Sequence, residues 1–307
     1  MKQDWSAALK RGMARLRKQD ARVARGYRRY RGTRPPVRWF LWLLWAALLC
    51  AVTAGIWLIS HQSQAAGALL RGLAQHTAAC LSQITGVLPV PINEWLIGLA
   101  VGLVLYRLIR GLIRKQWAAL GRGFCRVAFF AALAVFLFMA LFMVQHSAPP
   151  LAQRMGLTVE QYTQAQLEEY CDYAVEQVNR LAEQVPRKED GECDFGAFRP
   201  LSRLVSAEYE TLAAAEPVFD APRPGLVKRS LLGGRIMSLV DLAGYYFPWT
   251  GESIVSSDVV DTHIPFNIAH ERAHALGIGP EAECNFAAWL ALQDSQDLRL
   301  QYSAWFN

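Results

Sequence analysis

The sequence predicts an α-helical membrane anchor of about three transmembrane helices, followed by a mainly helical α+β domain. Long uncharged apolar runs are confined to the first half of the chain. Basic residues crowd the ends of those runs on one side only. After residue 146, charges, helix caps and chain breakers return together, as they do in a folded domain. With 53% hydrophobic residues among 307, there is room for both parts.

Residues 1–38 carry 13 Lys and Arg against two acids, Asp4 and Asp20, and read as a basic cytoplasmic tail. Trp39 to Ile59 then gives 21 residues without a charge, enough to cross a hydrocarbon core of about 30 Å as a helix. The long basic leader and long apolar run favour a retained anchor over a cleaved signal peptide. His61 to Gly86 places Ala65, Leu69, Leu70, Leu73, Ala74 and Leu81 at near-helical spacing. That spacing predicts an amphipathic helix on the outer membrane surface or against the bundle.

Trp95 to Tyr106 is apolar for only 12 residues. It reaches spanning length, to Ile113, if Arg107 and Arg110 snorkel to the interface. Val127 to Val144 supplies the last uncharged run. The spans are therefore expected near 39–59, 94–113 and 126–145, within a membrane region 39–145. The Arg107–Arg126 connection holds six basic residues and no acid, whereas His61 to Glu94 holds one base, Arg71. Basic loops stay in the cytoplasm, so the N-terminus is expected inside and residues 146–307 outside. That last part carries 12 basic and 23 acidic residues, a net charge of −11. The expected partner of the basic tail is thus the anionic lipid bilayer, and no nucleic acid is expected.

Within residues 146–307, Thr158 with Gln161 makes a capping-box pattern. Leu167, Tyr170, Cys171, Ala174, Val178 and Leu181 then keep one apolar helical face. Pro186 and the polar run Arg187 to Asp194 end that helix. A second is expected over Pro200–Ala215, before the turns of Pro217–Pro224. Gly244 to Glu252 is dense in aromatics and breakers, and Ser253 to Val260 reads as a strand pair or one bent strand. Cys171 and Cys193 are close enough in chemistry and compartment for a disulfide, which the sequence leaves open.

The chemistry concentrates at His270-Glu271-Arg272-Ala273-His274. Histidines four apart on a helix point the same way and can share one Zn²⁺, and the glutamate between them can take a proton from water. This helix is expected from about Pro265 to Gly277, and the next from Glu281 to about Gln293. A carboxylate at the start of that largely uncharged second helix is a candidate third ligand. Glu283 shares a face with Phe286, Ala287 and Leu290, so this geometry selects it over Glu281, which the helix dipole alone could stabilise. His263 is a further option as ligand or substrate contact. Tyr245 or Tyr246 could donate to a developing oxyanion, core packing being the plainer reading of both.

Tyr246-Phe247-Pro248-Trp249-Thr250-Gly251-Glu252, the run His270 to Gly277, and Glu283-Cys284-Asn285-Phe286 together resemble a bacterial multi-pass membrane family catalogued as a domain of unknown function. That family is similar to HExxH zinc metallopeptidases of the gluzincin-like kind. Its pattern ends Glu-Ala-Asn-Phe, and Cys284 stands here in place of the alanine. The resemblance implies a zincin-like extracytoplasmic domain and no particular substrate. From the residues, the expected reaction is zinc-assisted hydrolysis of a peptide bond in a peptide or protein substrate. His270, His274 and Glu283 would be ligands and Glu271 the general base. A non-catalytic zinc-binding membrane sensor or binding module is the alternative that the same residues allow.

Overall fold

The structure is a computed structural model that describes Met13 and residues 39–307. The basic tail expected over residues 1–38 otherwise lies outside the described residues. Among the described residues 39–307, the first four long helices are α1 (Phe40–Gln62), α2 (Gln64–Gly86), α3 (Ile92–Ile113) and α4 (Trp117–Leu141). Three of them, α1, α3 and α4, are long and apolar enough to cross a membrane, and they mark the chain as membrane-anchored. The third span begins nearer the N-terminus than expected, because Arg122 and Arg126 ride within α4 rather than ahead of it. Arg126 lies 6.0 Å over the Trp42 ring of α1, which lets the helix start before the last charge.

The expected amphipathic helix is α2. Its buried face is made of small residues, Gly67, Ala74, Ala78, Ala79, Ser82 and Thr85, so other backbones can approach it closely. Much of what approaches is the C-terminal domain. Ser82 Oγ accepts from Gly225 N at 2.9 Å, and Thr85 Oγ1 donates to the Thr250 carbonyl at 3.1 Å.

A 3₁₀ turn (Met143–Ser147) leads from α4 into the C-terminal domain. Its helices are α5 (Leu151–Arg154), α6 (Gln164–Ala182), α7 (Phe198–Ala215), α8 (Gly234–Leu239), α9 (Ile264–Ala275), α10 (Glu281–Leu292) and α11 (Leu298–Phe306). Helix α6 starts later than the Thr158–Gln161 pattern indicated. The capping box that forms is Thr163 with Gln166, the next copy of the same spacing, which stands directly before the apolar face at Leu167. Of that face, Leu181 is fully buried, while Leu167, Tyr170 and Cys171 are exposed. Helix α7 covers the expected second stretch and buries Leu201, Val205 and Tyr209. All the cysteines among the described residues are free thiols, so Cys171 and Cys193 are not joined.

Strands β1 (Lys228–Arg229), β2 (Gly244–Phe247) and β3 (Glu252–Val255) form a small mixed sheet in the order β1-β3-β2. β1 runs parallel to β3, and β2 pairs antiparallel with it from Gly244↔Val255 to Phe247↔Glu252. The hairpin therefore falls earlier than the expected strand pair. The aromatic run is its first strand, and Pro248 to Gly251 make its turn.

Helix α9 sits at the centre. Ile264, Ile268, Ala269, Ala273 and Ala275 are buried on it together with Glu271, Arg272 and His274. It packs against α2, α7, α10, α11 and the sheet, and burial on all sides removes the one-sided pattern of a surface helix. A buried ion pair ties the sheet to the membrane helices. Lys228 Nζ lies 2.6 Å from Glu252 Oε1 and also donates to the Thr85 and Val90 carbonyls. Glu252 accepts from Ile92 N and Asn93 N at 2.9 Å each, capping the start of α3.

Candidate metal centre

His270 and His274 sit one turn apart on α9 with ring centroids 4.9 Å apart and planes at 80°. A second partner fixes each ring. His274 Nδ1 lies 3.0 Å from the Ile278 carbonyl oxygen. A carbonyl only accepts, so Nδ1 carries the proton and Nε2 is left as a lone pair. His270 Nδ1 lies 2.7 Å from Asn285 Oδ1, an arrangement that assigns the same tautomer.

Both Nε2 atoms face the same carboxylate. Glu281 Oε2 is 3.0 Å from His270 Nε2, and Glu281 Oε1 is 3.5 Å from His274 Nε2. Burial pushes the His274 imidazolium below its ordinary range and favours the neutral ring. Two nitrogen lone pairs and a carboxylate repel one another unless a proton or a metal cation lies among them. The three donor atoms lie within 4.8 Å of one another. A tetrahedral ion with bonds of about 2.0–2.2 Å spaces its donors about 3.3–3.6 Å apart. The donor set fits such an ion.

The local sequence explains how Glu281 arrives there. Gly277, at φ 90°, closes α9 in a left-handed turn. Ile278 N donates to Ala273 O at 3.1 Å and Gly277 N to His274 O at 3.0 Å, the paired bonds of a Schellman motif. Gln75 of α2 donates to the Leu276 carbonyl at 3.2 Å and satisfies another end group. The chain then reverses, and Pro280 starts α10, whose first residue is Glu281. Glu281 and Asn285 are four apart on one face of α10, so carboxylate and amide meet the histidine pair together.

Glu283 is not at this site. Its Oε1 accepts from Leu151 N at 3.0 Å, capping α5, with the Arg154 charge nearby. The buried face of α10 runs through Cys284, Ala287, Ala288 and Ala291, while Phe286 is exposed. Glu283 shares its face with buried Ala287, as expected, but that face meets the start of α5 rather than the histidines. Cys284 is buried beneath His274, its Sγ 3.3 Å from Nδ1, and burial pushes the thiol well up, so it stays protonated.

Glu271 is buried between the histidines and the sheet, and its Oε2 has no hydrogen-bond partner. Burial, then the Glu281 charge, raises its carboxyl well above the ordinary range. It is packed so closely on β2 that a Cβ at Gly244 would collide with Glu271 Oε1. Ser253 Oγ donates to the Glu271 carbonyl at 2.8 Å and holds α9 against β3. Arg272 points elsewhere, toward the Gly225 carbonyl.

Tyr245 and Tyr246 alternate on β2 and part company. Tyr245 accepts from Asn93 Nδ2 at 2.7 Å, and burial pushes its phenol up to about 12. Tyr246 shares the strand face of Gly244. Its hydroxyl is buried without a partner, and its ring lies 5.6 Å from Phe142. Phe142 in turn packs 5.5 Å from the His274 ring. His263 stands at the far end of α9, hydrogen-bonded to Asn307 and packed on Phe306, and takes no part in the site.

Sequence reasoning missed three neighbours. Asn285 was readable from its spacing to Glu281. Phe142, at the end of α4, and His146, whose ring lies over Gly279, belong to the membrane-side connection and carried no local signal. Trp249 strengthens that link, stacking on Phe138 at 5.8 Å and donating to the Ala134 carbonyl at 3.1 Å.

A family model described as a protein of unknown function (DUF3810) matches residues 70–307, taking in most of α2 and everything after it. No curated protein and no solved structure matches the chain.

Proposed function

Because the chain belongs to the DUF3810 family, whose function is unknown, we propose a function from its own chemistry: a membrane-anchored, zinc-dependent metallopeptidase acting on the extracytoplasmic side. The observation that carries this is the convergence of His270 Nε2, His274 Nε2 and the Glu281 carboxylate, with both Nδ1 atoms already engaged. In this reading Glu281 replaces Glu283 as third ligand. Asn285 and the Ile278 carbonyl hold the rings in the ligating tautomer, the usual outer support of a histidine metal site. When bound, Zn²⁺ supplies a Lewis acid that activates water and polarises a carbonyl.

The residues divide the remaining work. Glu271 takes a proton from the attacking water and returns it to the leaving amine. Its unpartnered Oε2 leaves an acceptor free for that proton. Tyr246, with an unpartnered hydroxyl on the same strand face as Gly244, is the candidate donor to a developing oxyanion. β2 lies at the sheet edge, where an extended peptide can pair with its backbone.

The test compares wild type with Glu271→Gln, with zinc content measured on both. The variant should keep zinc, while cleavage of a peptide library falls by about 10²–10⁴-fold. Equal cleavage by both would remove Glu271 from the mechanism. No cleavage by either, with zinc bound, would leave a zinc-binding module without hydrolysis.

A further inference from the structure

The segment between β1 and β2 exposes Leu231, Leu232, Ile236, Leu239, Val240 and Leu242 together, with Leu239 at 85% of its full exposure. Scattered apolar residues on a surface need no explanation, but six within twelve positions form a patch that water penalises. The position of this patch says what covers it. Glu94 lies in the first turn of α3, and its carboxylate binds the base of the segment. It accepts from Ser230 Oγ at 2.5 Å, Leu232 N at 2.7 Å and Leu231 N at 3.1 Å.

The length of α3 fixes the depth of that tether. Its uncharged stretch, Trp95 to Tyr106, is 12 residues, about 18 Å of helix, against a hydrocarbon core of about 30 Å. The shortfall draws both ends inward. At one end Arg107 and Arg110 have long stems that reach back to the interface. At the other, Glu94 is only 8% exposed and already satisfied by the segment's own donors, so it tolerates a place where water is scarce. The surface of α3 immediately below, at Trp95, Leu96 and Leu99, is exposed and apolar and must face lipid. Glu94, in the same first turn, ties the base of the patch to that end of α3.

The geometry points to Leu231–Leu242 as a monotopic loop embedded in the bilayer beside the start of α3, its apolar side chains among the acyl chains. Helix α8, with six residues, rises about 9 Å, less than the half-thickness of about 15 Å of the hydrocarbon core. Arg229, Arg235 and Asp241, exposed around the patch, lie at the headgroup level. This inference does not depend on zinc or on hydrolysis.

The experiment uses the full chain in lipid nanodiscs, with a fluorescent amino acid placed by codon suppression at Leu239, and in a second protein at Val240. Val260 is the control, 66% exposed at the His263 end of α9. Doxyl-labelled phospholipid is the membrane quencher and iodide the aqueous one. Lipid quenching at 239 and 240 should exceed that at 260 by about threefold or more, with iodide quenching in the reverse order. Iodide quenching at 239 and 240 equal to that at 260 would overturn the inference. Protection from both quenchers would also overturn it, assigning the patch to a second protein surface.

Discussion

At the scale of single residues, the centre is a question of which atoms face one another. The spacing of His270 and His274 was legible because an i, i+4 pair on any helix shares a face. The third donor was not, because both acids in the first turn of α10 satisfy the same local rules and only the turn at Gly277 decides which faces back. Glu281 has a side chain 76% exposed yet lies against both imidazoles, so the face that Glu283 shares with Phe286, Ala287 and Leu290 pointed to the wrong acid. Asn285 supplies a prediction at this scale. It orients His270 at 2.7 Å without being a ligand. Asn285→Ala should therefore weaken zinc affinity by about 10–100-fold while leaving the stoichiometry intact. Competition with a chromophoric chelator measures this, and an unchanged affinity would remove Asn285 from the site.

Among the elements, α9 owes its position to neighbours rather than to its own pattern. Its ends were readable from Pro265 and Gly277, but its burial on every side gives no amphipathic stripe to read. The hairpin was misplaced for a related reason. Gly244 to Phe247 looked like a breaker-rich loop, and only pairing with β3 makes it a strand. The joint between sheet and membrane helices was invisible in sequence, since Lys228, Glu252 and the start of α3 are far apart along the chain. That joint yields a stability prediction. With Lys228 and Glu252 both buried, Lys228→Met leaves a buried carboxylate short of its counter-charge. The loss should be about 3–5 kcal/mol, read by denaturant unfolding of the full chain in detergent. The double variant Lys228→Met with Glu252→Gln should recover part of it. A loss within about 0.5 kcal/mol for the single variant would show the joint to be ordinary surface.

For the whole molecule, the sequence was most legible where the physics is least local. Hydropathy alone placed three apolar helices, and the charge pattern proposed their direction. Thirteen basic residues precede α1 and six lie on the Arg107–Arg126 connection. Protease added outside intact cells should accordingly digest residues 158–307 and spare the tail, and protection of that domain would invert the topology. What could not be read was the tight packing of membrane and domain parts, in which Phe142 of the α4 end touches His274. The most direct test of the account is metal analysis of the purified full-length chain. Wild type should carry about one Zn²⁺ per chain. His270→Ala, His274→Ala and Glu281→Ala should each lose it, while Glu283→Ala keeps it. A wild-type chain that takes up no zinc, or zinc retained equally by Glu281→Ala, would contradict the account.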